Sequence, residues 1–202
     1  MRWVVSLESV PSPARAPILK SLASGLGLVV AETSECAQSP LEALLNRIAG
    51  LARLPADTDA LWLSSCILDT PSDPAWRALH ADLSAELARR LLPARAVETT
   101  RHLMVLMDAD CDEAFETLFD AEPGHVPSSR QRCREDLQRL GDSLASYQPG
   151  AGVDSPLPCS TVRLSCPRFA ADNPAALEAV ASRALAECRR AMHRDPDPPE
   201  AS

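Results

Sequence analysis

Arg101-His-Leu-Met-Val-Leu-Met-Asp-Ala-Asp-Cys-Asp-Glu113 is the stretch that decides how the chain is read. Its apolar run, 103 to 107, is led by His102 and stops abruptly at Asp108, with Asp110, Asp112 and Glu113 close behind. An apolar run this short, bounded by polar residues, reads as a buried strand, because a helix needs roughly 10 residues or more with a 3.6 period. The acidic exit has two readings. It opens the next helix, where orphan N–H groups and the helix dipole favour carboxylates, or it supplies oxygen ligands to a hard cation.

Working outward, the same pattern recurs. Residues 2–8, with Trp3, Val4, Val5 and Leu7, read as a first strand ending at Glu8. Residues 26–31 read as a second strand exiting at Glu32, and residues 60–68 as a third exiting at Asp69. Residues 161–166 alternate Val162, Leu164 and Cys166 with Arg163, as an edge strand with one wet face does.

Helix signals fall between these runs. Pro17 fits a first helical turn, Ile18, Leu19 and Leu22 share a face, and Gly25 suits the stop. Ser39-Pro40-x-Glu42 reads as a capping box, followed by a stripe of Leu41, Leu44, Leu45, Ile48 and Leu51. Asp73-Pro74 starts another helix, whose expected buried face is Trp76, Leu79, Leu83, Leu87 and Leu91, with Pro93 as its end. Ser128 and Ser129 open a longer helix with Cys133, Leu137, Leu140 and Leu144 inward. Asn173-Pro174 caps a last helix that turns Leu177, Val180, Ala184, Leu185, Cys188 and Met192 to the core.

Strand and helix alternating in this order predict an α/β fold, about five mostly parallel strands with helices on both faces. The alternative is an α+β ferredoxin-like plait. It needs a hairpin, and no Asn-Gly or Asp-Gly joins two of these strands. Residues 1–194 read as one domain, with a Pro- and Gly-rich loop at 148–160, an edge strand plus final helix at 161–194, and a Pro-rich tail at 195–202 that cannot pack.

Composition narrows the function. A net charge of −8 argues against general nucleic-acid binding, which needs clustered positive charge. Lys20 is the one lysine and no Gly-rich run precedes it, which argues against a phosphate-binding P-loop and a Schiff base. The Gly25-x-Gly27 pair precedes a strand, so it is no dinucleotide fingerprint. Seven cysteines form no Cys-x-x-Cys pair and the start carries no signal-peptide core, so the expectation is reduced thiols in a cytoplasmic protein. No apolar run approaches the ~18 residues of a membrane span.

Val5-x-Leu7-Glu8, with Leu106-Met-Asp108-Ala-Asp110 later, resembles the topoisomerase–primase (Toprim) domains. That resemblance implies Glu8, Asp108 and Asp110 as ligands to Mg²⁺ in phosphodiester chemistry. Ser9 stands where that family usually has Gly. Leu61-Trp-Leu-Ser-Ser-Cys66 resembles the cysteine strand of caspase-like CHAT peptidases, in which an upstream His activates the thiol; no His precedes Cys66 here. The Asp108-x-Asp110-x-Asp112 spacing is no EF-hand, since Glu113 and Phe119 occupy the places of its Gly and its bidentate Glu.

Two functions follow as expectations. The first is a cytoplasmic, non-catalytic protein that acts through a protein or small-molecule partner, with no cofactor. The second is a Mg²⁺-dependent phosphoesterase or nucleotidyl-transfer enzyme using Glu8, Asp108 and Asp110. If the strands are parallel, Glu32, Asp69, Asp112 and Glu113 join them along the carboxyl edge, where such sheets bind ligands.

Overall fold

A computed structural model describes residues 1–31, 39–63, 65, 74–120, 127–147, 155 and 157–194. Five strands, β1 (Arg2–Glu8), β2 (Val29–Val30), β3 (Ala60–Trp62), β4 (Thr100–Asp108) and β5 (Cys159–Ser165), form one sheet in the order β2-β3-β1-β4-β5. Every pairing is parallel. The α/β expectation holds and the antiparallel plait does not. The hydrophobic runs of β1 and β4 are buried on both faces, as strands in the middle of a parallel sheet must be.

Helices cover both faces. On one, α1 (Arg15–Leu26) and α7 (Pro174–His193) pack over Val5, Leu7, Leu103, Val105, Met107 and Leu164. On the other, α2 (Pro40–Arg53) and α3 (Pro74–Leu91) pack over Val4, Ala60, Trp62, Met104 and Leu106. Strand alternation sorts these two sets, since neighbouring residues point to opposite faces. A short helix, α4 (Ala94–Thr99), leads into β4, and α5 (Cys111–Asp120) and α6 (Pro127–Ser146) close a third cluster around Ala114, Leu137 and Leu144.

Several local signals act as read. Ser39 Oγ accepts the Glu42 N–H at 3.2 Å. Asn173 Oδ1 accepts the N–H groups of Ala175 and Ala176 at 3.1 and 3.2 Å. Each removes orphan donors from a helix start, worth about 1 kcal/mol.

Three helix expectations need correction. Helix α1 runs past Gly25 and stops at Gly27, whose φ of 67° is the left-handed cap and whose N–H reaches Ala23 O. Gly25 lies inside the helix because α7 passes close: an added Cβ would stand 2.7 Å from the Leu185 methyls. The second correction concerns α3. Trp76, Leu79 and Leu91 are 63%, 54% and 45% exposed, while His80, Ser84 and Ala88 are buried, continuing to Leu92. Leu83 and Leu87 of the expected face are half-buried, Leu87 against the same cluster as Ala88 and Leu92, so that face is met in part and the helix is turned toward its 80-84-88 row. Leu41 and Leu45 of α2 are likewise exposed, leaving Leu44, Ile48 and Leu51 inward.

β2 and β3 are shorter than expected, and the stretches that carry Glu32 and Asp69 lie outside the described residues. So do most of the 148–160 loop and the 195–202 tail. Among the described residues no helix is long and apolar enough to cross a membrane.

Candidate functional site

Both features that bear on function lie toward the carboxyl edge of the sheet. The first is a buried polar network. Ser6 and Glu8 sit two apart on β1 and therefore share a face, the one turned to α2 and α3. Glu8 is wholly buried. One of its oxygens accepts the Ser6 hydroxyl at 2.6 Å, and the other accepts the Ser65 hydroxyl. Ser6 Oγ also lies 2.9 Å from His102 Nε2 on β4.

The proton inventory fixes the direction of that last bond. Ser6 has one proton, given to Glu8, so its remaining lone pair accepts from His102 Nε2–H. Nδ1 is then the bare nitrogen, and it has no partner. Burial first, and the nearby Arg47 cation second, hold the His102 pKa down at about 3, so the ring is neutral. The ring meets Trp62 edge-on, centroids 4.9 Å apart. Arg47, in the buried row of α2 between Leu44 and Ile48, donates to Ser65 O at 3.1 Å and lies 6.0 Å from the Trp62 ring centroid.

This is a Glu–Ser–His order with the serine in the middle. In acyl-transfer triads the imidazole stands between acid and nucleophile, so that the base can strip the hydroxyl proton. Here the hydroxyl proton is committed to the carboxylate, and Ser6, Glu8 and His102 are all sealed from solvent. The geometry serves to satisfy a buried acid.

The second feature is a cavity of about 530 Å³ at the carboxyl ends of β4 and β5, bounded on one side by α6. Apolar walls come from Val10, Leu106, Ala109, Leu144 and Ala145; Asp108, Ser165, Arg163 and Arg183 supply polar groups. Val10 lies two residues beyond β1, so the cavity reaches the gap between β1 and β4. That gap is where the strand order reverses, since the chain leaves β1 toward β2 and later returns across to β4. Arg163 is already engaged: it donates to the carbonyls of Leu144 and Tyr147, at the carboxyl end of α6 where a cation is favoured.

The expected acidic ligands separate. Asp108 is exposed. Asp110 Oδ1 accepts the Glu113 N–H at 2.9 Å, capping α5, and lies 3.8 Å from the Arg168 guanidinium. Asp112 is 3.6 Å from Arg134. Glu113 is buried and accepts the Phe169 N–H at 2.9 Å. Phe169 there has a φ of 56°, an uncommon conformation for an aromatic residue. Among the described residues no three His, Cys, Asp or Glu side chains group closely enough to hold a metal ion. The β1–α1 connection, residues 9–14, carries Pro11 and Pro13 and no glycine, so it does not form a phosphate cradle. Cys111 and Cys166 are held in the thiol form by their environment. Burial first, then nearby carboxylates led by Asp110, raises the Cys111 pKa, and burial then Glu113 and Asp108 raises that of Cys166. Cys66 lies outside the described residues.

Sequence reasoning missed Ser6, Arg47, Arg163 and Arg183, while His102 lies in β4 and is packed, as a histidine leading that apolar run is expected to be. A signal existed for Arg47: Leu44, Arg47, Ile48 and Leu51 keep the i, i+3, i+4, i+7 spacing of a buried face, so a cation there needed a buried partner.

Comparison with known proteins adds little. No protein-family model matches the chain, and no curated protein does. A crystal structure of a gluconokinase from Sinorhizobium meliloti 1021 superimposes over 94% of this chain and 97% of its own, at 13% identity and a TM-score of 0.41. A likeness that loose carries no functional argument.

Proposed function

We propose that this chain is a non-catalytic α/β protein that binds a small molecule in the cavity beneath α6. The supporting observation is the cavity's position: it opens at the carboxyl ends of parallel strands, beside the strand-order reversal, where open α/β sheets bind ligands. Its mixed lining of apolar walls and a few convergent polar groups has the character of a ligand site. The free thiols of Cys111, Cys133, Cys159, Cys166 and Cys188 fit a reducing, cytoplasmic setting.

The test uses 8-anilinonaphthalene-1-sulfonate, an apolar dye with one anionic group. The native protein should enhance its fluorescence saturably. Ala145→Trp should abolish that enhancement without lowering the thermal midpoint, because Ala145 lines the cavity from an exposed position. Enhancement that survives the tryptophan, or none at all, removes this reading.

A protein partner is the second reading. The exposed row of Trp76, Leu79 and Leu91 on α3 favours it.

A further inference from the structure

Two charged side chains line the cavity without a fixed task. Asp108, at the end of β4, and Arg183, on α7, both border it. Among the described residues neither makes an ion pair or a side-chain hydrogen bond, and they do not pair with one another. Opposite charges that border one cavity yet stay apart leave a span for a ligand that carries both signs. The other polar groups fit this division. Arg163 is held by the α6 carbonyls and Ser165 is neutral, so the free charge facing the cavity is one anion and one cation.

Building on the small-molecule reading above, we propose that the cavity takes a zwitterion with an apolar body, of the class of a free apolar amino acid. Its ammonium group meets the Asp108 carboxylate. Its carboxylate meets the Arg183 guanidinium, whose planar fork matches that group's geometry. The body lies on Val10, Ala109, Leu144 and Ala145. A ligand with only an acid leaves Asp108 unanswered, and one with only an amine leaves Arg183 unanswered. Charge-assisted contacts of this kind make each single-charge analogue weaker by about tenfold or more.

L-phenylalanine, 3-phenylpropionate and 2-phenylethylamine form a matched set that differs only in the charged groups. Each would be titrated into ¹⁵N-labelled full-length protein, following the amide signals of Gly141 and Ser165, which report the cavity residue by residue. L-phenylalanine should shift both saturably, with each analogue weaker by about tenfold or more. Asp108→Asn should bring L-phenylalanine down to the affinity of 3-phenylpropionate and leave the latter unchanged. Arg183→Gln should bring it down to the level of 2-phenylethylamine. Equal affinity for all three compounds overturns the proposal. So does a cavity that takes the naphthalene dye but not L-phenylalanine, with the binding function intact. If the dye also fails to bind, the binding function falls first and this inference with it.

Discussion

His102 gives the most direct test of the buried network. Its folded pKa is about 3 against an ordinary value of 6.5. The fold therefore binds the neutral ring, and the unfolded chain takes up a proton as pH drops through 6.5. Where the unfolded state binds more protons, stability rises with pH, so it is lost on acidification. The contribution is intact above about pH 7 and is lost progressively down to about pH 3. Integrating between about pH 7.5 and pH 4.5 gives a loss of roughly 2–3 kcal/mol from this one residue, a large share of a domain's margin. The perturbation is His102→Gln, which removes the titrating group and keeps an N–H donor for Ser6. The assay is urea unfolding, followed by tryptophan fluorescence since Trp62 is buried in the network, at a series of pH values for both proteins. The variant starts less stable, but its curve should be flatter by roughly 2–3 kcal/mol over that range, because other groups titrate alike in both. Parallel curves would refute the reasoning. So would an imidazole signal from His102 that titrates near its ordinary value in the folded protein.

Further outcomes follow from the same geometry. Ser6→Ala strips Glu8 of one donor and leaves the His102 Nε2–H unanswered, so it should cost about 1–3 kcal/mol in urea unfolding; no change would mean these buried bonds do not stabilise the fold. Asp110→Ala should cost about 1 kcal/mol by uncapping α5, and by the same amount with and without millimolar Mg²⁺; a cost that appears only with the ion would restore the metal-ligand role. On α3, Trp76→Ser should change stability by less than about 0.5 kcal/mol, while Ala88→Leu should cost about 1–3 by overpacking. The reverse order would put the leucine row back inside. Gly27→Ala should lower the unfolding free energy by about 1–2 kcal/mol through its left-handed backbone, with Asn milder than Ala.

Much of this protein is written locally. Most strand and helix positions follow from periodicity, proline at a first helical turn and capping hydroxyls, which act within a few residues; the short extents of β2 and β3, the stop of α1 and the short helix α4 do not. The Ser39 and Asn173 caps, the β4 run and the α6 face all follow from neighbours in the chain. The sequence determined the parallel fold as well, since alternating strands and helices leave few other solutions.

Tertiary structure alone decided what the acidic exits do. Glu8 reads as an open ligand in the chain, yet strand order places it beside β3 and β4, where Ser65 and a network to His102 enclose it. Ser6 and His102 are 96 residues apart, and no local pattern encodes their meeting. The same limit applies to α3. Which row of a helix is buried depends on where its neighbours lie, and the helix's own apolar pattern does not state that. The cavity, too, exists only once β1, β4, β5, α6 and α7 are brought together, so the residues that line it carry no signature in sequence.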